Sequence, residues 1–271
     1  MAKSPLRVLP CPLDLAWNNP SENLKKIESS LRTNLENSSV PEEFLFLFPE
    51  LSLTGFVTEN PPSFSLRENP VQALAALAKK YRTAIAAGFP EKNPKDPKRP
   101  FNTLALFGPN GKILGKYRKL HLFTVGKVPE TEVFTAGDNA ITIEYRGWKT
   151  GLTICFDLRF PALFQAYARA GVDLILAPAC WVGGEHKSYQ FKTIGSAHAI
   201  LSQAYLASVN RAGRDPAYEY DGSSYVFSPF GEDQLEGRPG ACLLDESLLD
   251  ACRKMKVRPS DRKAYPVQDG A

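Results

Sequence analysis

The stretch Gly151-Leu-Thr-Ile-Cys-Phe-Asp-Leu-Arg-Phe-Pro161 holds the reading on which the fold turns. Residues Gly151 to Ile154 form a short apolar, β-branched run, which predicts a buried strand. Pro161 then opens Ala162-Leu-Phe-Gln-Ala-Tyr-Ala-Arg-Ala170, rich in Ala and Leu with proline near its first position, which predicts a helix. Cys155 falls where strand hands over to helix. A side chain on such a tight turn is presented at the carboxyl end of a sheet, where α/β enzymes place their nucleophiles. A buried core cysteine is the competing reading, because free Cys is among the most buried residue types.

The pattern repeats on both sides of this stretch. Arg7 to Pro10 reads as a first strand, and Ser21 as the cap of a helix with Leu24, Ile27, Leu31 and Leu35 at helical spacing. Phe44-Leu-Phe-Leu-Phe48 is apolar throughout and too short for a helix, so it predicts a strand buried on both faces, ending at Pro49-Glu50. Asn69 starts a second helix through Leu74, Leu77 and Tyr81, and Thr83 to Gly88 follows as a strand. Glu91 to Pro100 is polar and Pro-rich and reads as a surface loop. Phe101 to Phe107 and Lys112 to Lys116 predict a hairpin, as do Ala140 to Tyr145 and Lys149 to Ile154.

Downstream, Val172 to Ala177, Tyr205 to Asn210, Ser224 to Ser228 and Ala241 to Leu244 read as strands. Gln190 to Gln203 and Glu246 to Lys254 read as helices, and Arg211 to Asp221 as a polar connection. Strands and helices interleave to the end, which fits a single α/β domain over residues 1–271, with 257–271 as an extended C-terminal tail.

Composition narrows the function classes. The chain has 271 residues, 43% hydrophobic and 23% charged, which is ordinary globular composition. Its net charge of +4 is mild. Two basic patches, Lys92 to Arg99 and Arg253 to Lys263, lack interleaved aromatics and read as solvated loops, so no nucleic-acid role is expected. No apolar run approaches the ~18 residues of a membrane span, and the N-terminus carries no signal-peptide core. Five cysteines without a pairing pattern argue against a disulfide framework and for a reducing, cytoplasmic setting in which a thiolate survives.

Three buried strands end at ionisable residues: Glu50, Lys119 and Cys155. Each alone is weak, since a Glu after Pro often starts a helix and a lone Lys is usually solvated. Together they form the set that thiol catalysis needs. A carboxylate in an apolar pocket can take the thiol proton, and a fixed cation favours the thiolate and an oxyanion. His121 allows a rival Cys–His pairing, but reads better as a satisfied structural histidine. His186 and His198 have no metal-ligand spacing with Cys180, so no metal is expected. Trp181 reads equally as a pocket wall or a loop anchor.

At these residues the chain resembles the nitrilase, or carbon–nitrogen hydrolase, superfamily. The motifs that carry the resemblance are Phe48-Pro-Glu50 with Leu53-Thr-Gly55, Lys116-Tyr-Arg-Lys119-Leu-His-Leu-Phe123, and Cys155-Phe-Asp-Leu-Arg-Phe-Pro161. Glu130, ahead of Gly137-Asp138, and Gln203-Ala-Tyr-Leu-Ala-Ser-Val-Asn210-Arg match as well. The resemblance implies a four-layer α-β-β-α sandwich, paired into homodimers, that needs no metal or organic cofactor. It implies Glu50 as general base, Cys155 as nucleophile and Lys119 as the cation beside the oxyanion. The Phe156 N–H would be a second oxyanion donor, and Glu130 would orient Lys119 and the substrate amide.

Phe156-Asp157 after the nucleophile speaks against nitriles. The run Cys-x-Asp-Leu-Arg-Phe-Pro looks like the omega-amidase branch, which hydrolyses terminal amides of short dicarboxylate monoamides such as 2-oxoglutaramate. An amidase of deaminated glutathione, or another aliphatic or N-carbamoyl amide hydrolase, is the alternative. Arg159 is the expected reader of the substrate carboxylate, with Phe156 and Trp181 also at the substrate. Two departures stand out. The family's charged helix positions appear here as His198 and Leu201, and its His-Trp pair as Gln190-Phe191. They leave room for a degenerate, non-enzymatic member acting as a binding protein.

Overall fold

The structure is a computed structural model that describes residues 3–125 and 129–255. The expected tail 257–271 lies outside the described residues. Among the described residues are six helices and thirteen strands.

In chain order the elements begin with β1 (Arg7–Pro10), α1 (Pro20–Leu35), β2 (Phe44–Leu47), α2 (Val71–Tyr81), β3 (Ala84–Glu91), β4 (Phe101–Phe107) and β5 (Ile113–Arg118). There follow α3 (Glu130–Val133), β6 (Thr142–Tyr145), β7 (Trp148–Leu152), α4 (Pro161–Ala170), β8 (Leu174–Ala179) and α5 (Lys187–Ser202). The last are β9 (Tyr205–Asn210), β10 (Ala212–Arg214), β11 (Glu219–Asp221), β12 (Ser224–Phe227), β13 (Cys242–Leu243) and α6 (Glu246–Arg253).

Two sheets form the centre. The first has the order β13-β1-β2-β3-β4-β5 and the second β12-β9-β8-β7-β6, while β10 and β11 make a separate hairpin. Strands β1, β2 and β3 run parallel, as do β7, β8 and β9. Alternation along β2 shows how the layers form. Leu45 and Leu47 join the core between the sheets, with Leu174, Leu176 and Leu206. Phe46 and Phe48 face the other way, into a second core with Ile27 and Leu31 of α1 and Leu74 and Ala78 of α2. Leu163, Phe164 and Tyr167 of α4 and Phe191 and Ala199 of α5 cover the second sheet. The layers are therefore helices, sheet, sheet, helices, the four-layer α-β-β-α sandwich that the resemblance implies.

Several boundaries differ from the sequence reading. Asn19, not Ser21, caps α1: its side chain accepts from the Glu22 N–H, and Pro20 takes the first helical position. Strand β3 runs on to Glu91, which is buried rather than in a loop. Its carboxylate accepts from Thr103 Oγ1 (2.9 Å), from Arg118 Nη2 (2.8 Å) and from Lys116. The polar stretch 211–221 contains the β10–β11 hairpin. Arg211 there is fully buried, donating to Asp215 and to the Leu15 carbonyl. Helix α5 starts at Lys187, three residues before the expected Gln190.

Candidate active site

The carboxyl ends of the parallel strands, and the start of antiparallel β4, meet at one end of the sandwich. Glu50 follows β2, Lys119 follows β5, Cys155 follows β7 and Cys180 follows β8. Asn102 is the second residue of β4, which runs back from the end of β3 with Pro90 opposite Asn102. Glu130 opens α3 and closes a loop reciprocally: its N–H donates to the Phe123 carbonyl, and its Oε2 accepts from the Phe123 N–H, each at 2.7 Å.

The side chains form a sealed cluster. Glu50 and Lys119 are each 1% exposed and Glu130 0%. Lys119 Nζ donates to Glu50 Oε1 (2.8 Å) and to Glu130 Oε2 (2.7 Å). Asn102 Nδ2 makes a second bridge, to Glu50 Oε1 (2.7 Å) and Glu130 Oε1 (2.9 Å). The Cys180 N–H donates to Glu50 Oε2 at 2.8 Å. Burial alone would pull the Lys119 ammonium down, but Glu130 and Glu50 outweigh it and hold the pKa well above its ordinary value. Burial pushes Glu130 up against the pull of Lys119, and the Glu50 charge adds to the rise. Burial and the Glu50 charge raise the Cys155 thiol well above its ordinary range, with Lys119 opposing. Cys155 therefore rests as a thiol.

Cys155 sits on a 3-10 turn, Cys155–Arg159, with φ of 48°. That left-handed backbone is unusual for a residue with a Cβ and has to be held by its surroundings. Asp157 holds it. The buried carboxylate accepts from the Ile154 N–H (2.9 Å) and Tyr117 Oη (2.7 Å) on one oxygen, and from the His121 N–H (3.0 Å) on the other. His121 Nδ1 lies 2.8 Å from that second oxygen, and its ring stacks on Phe160 at 3.7 Å. His121 is thus a satisfied structural group.

A cavity of about 440 Å³ opens over Glu50, Lys119, Cys155 and Cys180, walled by Phe56, Phe123, Phe156, Trp181 and Val182. Arg159, Lys187 and Gln190 line it too. Arg159 donates to Gln190 Oε1 at 2.7 Å and lies over the Trp181 ring, 4.8 Å from its centre. It does not pair with Asp157 or Glu185. Trp181 is both wall and anchor: its N–H donates to Asn210 Oδ1 (2.7 Å) and its Nε1 to the Lys187 carbonyl (3.0 Å).

The family model for carbon–nitrogen hydrolases matches residues 10–237. The chain belongs to the carbon–nitrogen hydrolase family. This hydrolase is 30% identical to omega-amidase YafV of Yersinia enterocolitica over 93% of its own length and 91% of that protein's. It is 28% identical to 2-oxoglutaramate amidase of Bacillus subtilis, over 94% and 93% of the two chains. The crystal structure of XC1258 from Xanthomonas campestris, a CN-hydrolase superfamily protein, superposes with a TM-score of 0.84. It is 24% identical and covers 98% of this chain and 100% of that one.

The structure brings together Glu50, Lys119, Glu130 and Cys155, and sets Arg159, Phe156 and Trp181 around the same cavity. Sequence reasoning missed Asn102, Cys180 and Lys187. An asparagine inside the apolar strand Phe101 to Phe107 was the available signal for the first, since a buried amide must find partners. The His198 departure also has a structural account. Its Nε2 lies 2.8 Å from the Leu158 carbonyl of the Cys155–Arg159 turn, and its ring stacks on Phe164 at 3.5 Å. Leu201, by contrast, is exposed on α5. Among the described residues no group of His, Cys, Asp and Glu could hold a metal ion, and no helix is long and apolar enough to cross a membrane.

Proposed function

We propose that this hydrolase cleaves the terminal amide of short dicarboxylate monoamides, of the 2-oxoglutaramate type, through a thioester on Cys155. Glu50 takes the thiol proton as sulfur attacks the amide carbon. Lys119 and the Phe156 N–H face the developing oxyanion. The proton passes from Glu50 to the leaving nitrogen, ammonia departs, and Glu50 then deprotonates the water that cleaves the thioester to acid and free thiol. Glu130 keeps Lys119 aimed between the two carboxylates. The names of the relatives support the substrate class.

The observation that carries this reading is the layout of charge in the cavity. Its floor holds the ion-paired cluster, whereas its rim holds two cations, Arg159 and Lys187, that pair with no carboxylate among the described residues. A substrate with its amide at the floor and its carboxylate at the rim complements both. Pinned by Gln190 and Trp181, the Arg159 guanidinium presents a fork suited to a carboxylate.

Ammonia release over a panel of amides tests this. Arg159→Lys is expected to lose about tenfold to a hundredfold on succinamate and glutaramate and much less on a neutral amide of equal length. Cys155→Ala is expected to abolish turnover of all. Hydrolysis of simple aliphatic amides as fast as the dicarboxylate monoamides would overturn the assignment in favour of a general aliphatic amidase.

The reading also places the enzyme in the cytoplasm, as one domain that associates into homodimers or larger homo-oligomers. All five cysteines are free, which suits a reducing compartment. Ile200, Leu201 and Phe230 are exposed apolar residues near one another, which suits association. Sedimentation showing only monomer at micromolar concentration would rule the pairing out.

A further inference from the structure

The side chains at the rim of the cavity offer donors only. Arg159 and Lys187 carry no acceptor. Gln190 has one, but its Oε1 is taken by Arg159 Nη2 at 2.7 Å. A guanidinium has no lone pair to give, so the Gln190 amide cannot turn over, and the group it leaves for a ligand is its NH2. The carboxylates nearby are committed elsewhere. Asp221 accepts from Asn210 Nδ2 (2.8 Å), from the Ser223 N–H (2.9 Å) and from the Ser188 hydroxyl. Glu185 is exposed, pairs with His186 at 3.1 Å and does not line the cavity. Glu50 lines it at the floor, where Lys119, Asn102 and the Cys180 N–H hold its oxygens.

One frame carries these donors. Asn210 brackets the Trp181 main chain: its Oδ1 accepts from the Trp181 N–H (2.7 Å) and its Nδ2 donates to the Trp181 carbonyl (2.9 Å). The indole then serves both cations. Its face lies beside the Arg159 guanidinium, 4.8 Å from the ring centre, and its Nε1 donates to the Lys187 carbonyl at 3.0 Å. Asp221 ties down Ser188, the next residue of α5. The Lys187 backbone is thus fixed on two sides, while its ammonium has no ion pair among the described residues.

We propose that Lys187, assisted by Gln190, is the specificity-determining residue that rejects an α-ammonium. The substrates are then monoamides whose carbon next to the carboxylate is bare or carries an acceptor, an oxo or hydroxyl oxygen, and free glutamine and asparagine are refused. The inference rests on the dicarboxylate-monoamide reading. Glutamine and glutaramate have the same length, the same amide and the same carboxylate, and differ in the ammonium alone. With its amide at Cys155 and its carboxylate at Arg159, glutamine brings a third cation and further N–H donors to a rim with no side-chain acceptor left. Like charges at such range repel by far more than thermal energy when water is partly excluded. An oxo oxygen on the same carbon accepts from Lys187 or from the Gln190 NH2 instead.

The test is the ratio of kcat/KM for glutaramate to kcat/KM for glutamine, read by ammonia release, with succinamate and asparagine as a second pair. Loosening the rim, or losing a carboxylate contact, affects both members of a pair alike and cancels in the ratio. Only a group that senses the ammonium moves it. Wild type should favour glutaramate by about a hundredfold or more. Lys187→Glu, which puts an acceptor and a negative charge at the rim, should shrink the ratio by about thirtyfold or more. Lys187→Met removes the charge without reversing it and should shrink the ratio by about fivefold to tenfold. It decides the matter if thermal melting shows that the glutamate variant does not fold.

A folded Lys187→Glu with a ratio within about threefold of wild type, or a Lys187→Met within about 1.5-fold, would overturn the proposal. So would a wild-type protein that hydrolyses glutamine as well as glutaramate. Either result would leave the dicarboxylate reading standing, because glutaramate would still exceed a neutral amide of equal length. Equal rates on glutaramate and the neutral amide would instead overturn that reading, and the role of Lys187 with it.

Discussion

Asp157→Asn tests whether the Cys155 turn is held as described. The substitution keeps the shape of the side chain and replaces one acceptor oxygen with an NH2. Every neighbour on both oxygens is a donor: the Ile154 N–H and Tyr117 hydroxyl on one side, the His121 N–H and ring on the other. The tyrosine and the histidine ring can reorient, but the two backbone N–H groups cannot. Whichever way the new amide is set, it confronts one of them, donor against donor. One buried N–H is left unpaired, and the remaining bonds fall from charge-assisted to neutral. The two losses together amount to about 3 kcal/mol. For a chain of this size each kcal/mol lowers Tm by about 2–4 °C, so a drop of about 6–12 °C is expected by calorimetry. The Ile154 N–H anchors the residue before the nucleophile, and a displacement of about 1 Å at a nucleophile costs on the order of a hundredfold in rate. Turnover should therefore fall more than stability alone dictates. A variant with Tm within about 2 °C and activity within about twofold of wild type would refute the description of this turn.

Three further outcomes follow from the same structure. Lys119→Met leaves Glu50 and Glu130 buried without their cation, and should cost about 3–5 kcal/mol in urea unfolding as well as turnover; an unchanged midpoint would contradict the pairing. Gly88→Ala would set a Cβ 2.6 Å from the Leu51 backbone N, so the turn that carries Glu50 must move. Turnover should drop by about tenfold or more, and wild-type kinetics would show that this close approach does not matter. His198 is buried, which lowers its pKa, against the opposing bond to Leu158. The unfolded state then binds more protons than the folded one between the folded pKa and the ordinary value near 6.5. This contribution is whole above about pH 6.5 and declines below it, by up to about 1.4 kcal/mol per pH unit. Replacing His198 with Gln should flatten that part of the stability profile, and equal slopes in the two proteins would refute the assignment.

What was legible in the sequence is what local pattern carries. The spans Arg7 to Pro10, Phe101 to Phe107 and Tyr205 to Asn210 coincide with β1, β4 and β9, because each is an apolar or β-branched run with clear breaks. Glu50, Lys119 and Cys155 stood out because each is an ionisable residue at or shortly past the end of an expected strand. Asn102 did not, since its meaning depends on partners 52 and 28 residues away in the chain. Arg211 was hidden for the same reason, its farthest partner, Leu15, lying 196 residues away. The β10–β11 hairpin escaped because Ala-Gly-Arg and Glu-Tyr-Asp have no hydrophobic alternation to read. Lys187 was missed because nothing in Glu185-His186-Lys187 marks a helix start; His186 caps α5 with no side-chain hydrogen bond.

One geometric rule joins the legible residues to the hidden one. In a parallel strand, the residue just past the carboxyl end leaves the ladder while its position is still fixed by it. Cys180 and Arg211 occupy such positions on β8 and β9, Glu50 and Cys155 lie three residues past the ends of β2 and β7, and the strands share one direction within their sheets. Lys119 joins them because β5 is antiparallel to β4, which is itself antiparallel to β3. The same reversal brings the first residues of β4 to this end, which is why Asn102 arrives from the beginning of a strand and not from its end. The two sheets then differ in what they deliver. The first contributes the carboxylate and the ammonium at the cavity floor and the amide behind them. The second contributes the Cys155 turn, with Arg159 at its end, and Lys187 at the start of α5. The charged cluster and the two rim cations thus stand on opposite sheets, whose strands β2 and β9 pack against each other.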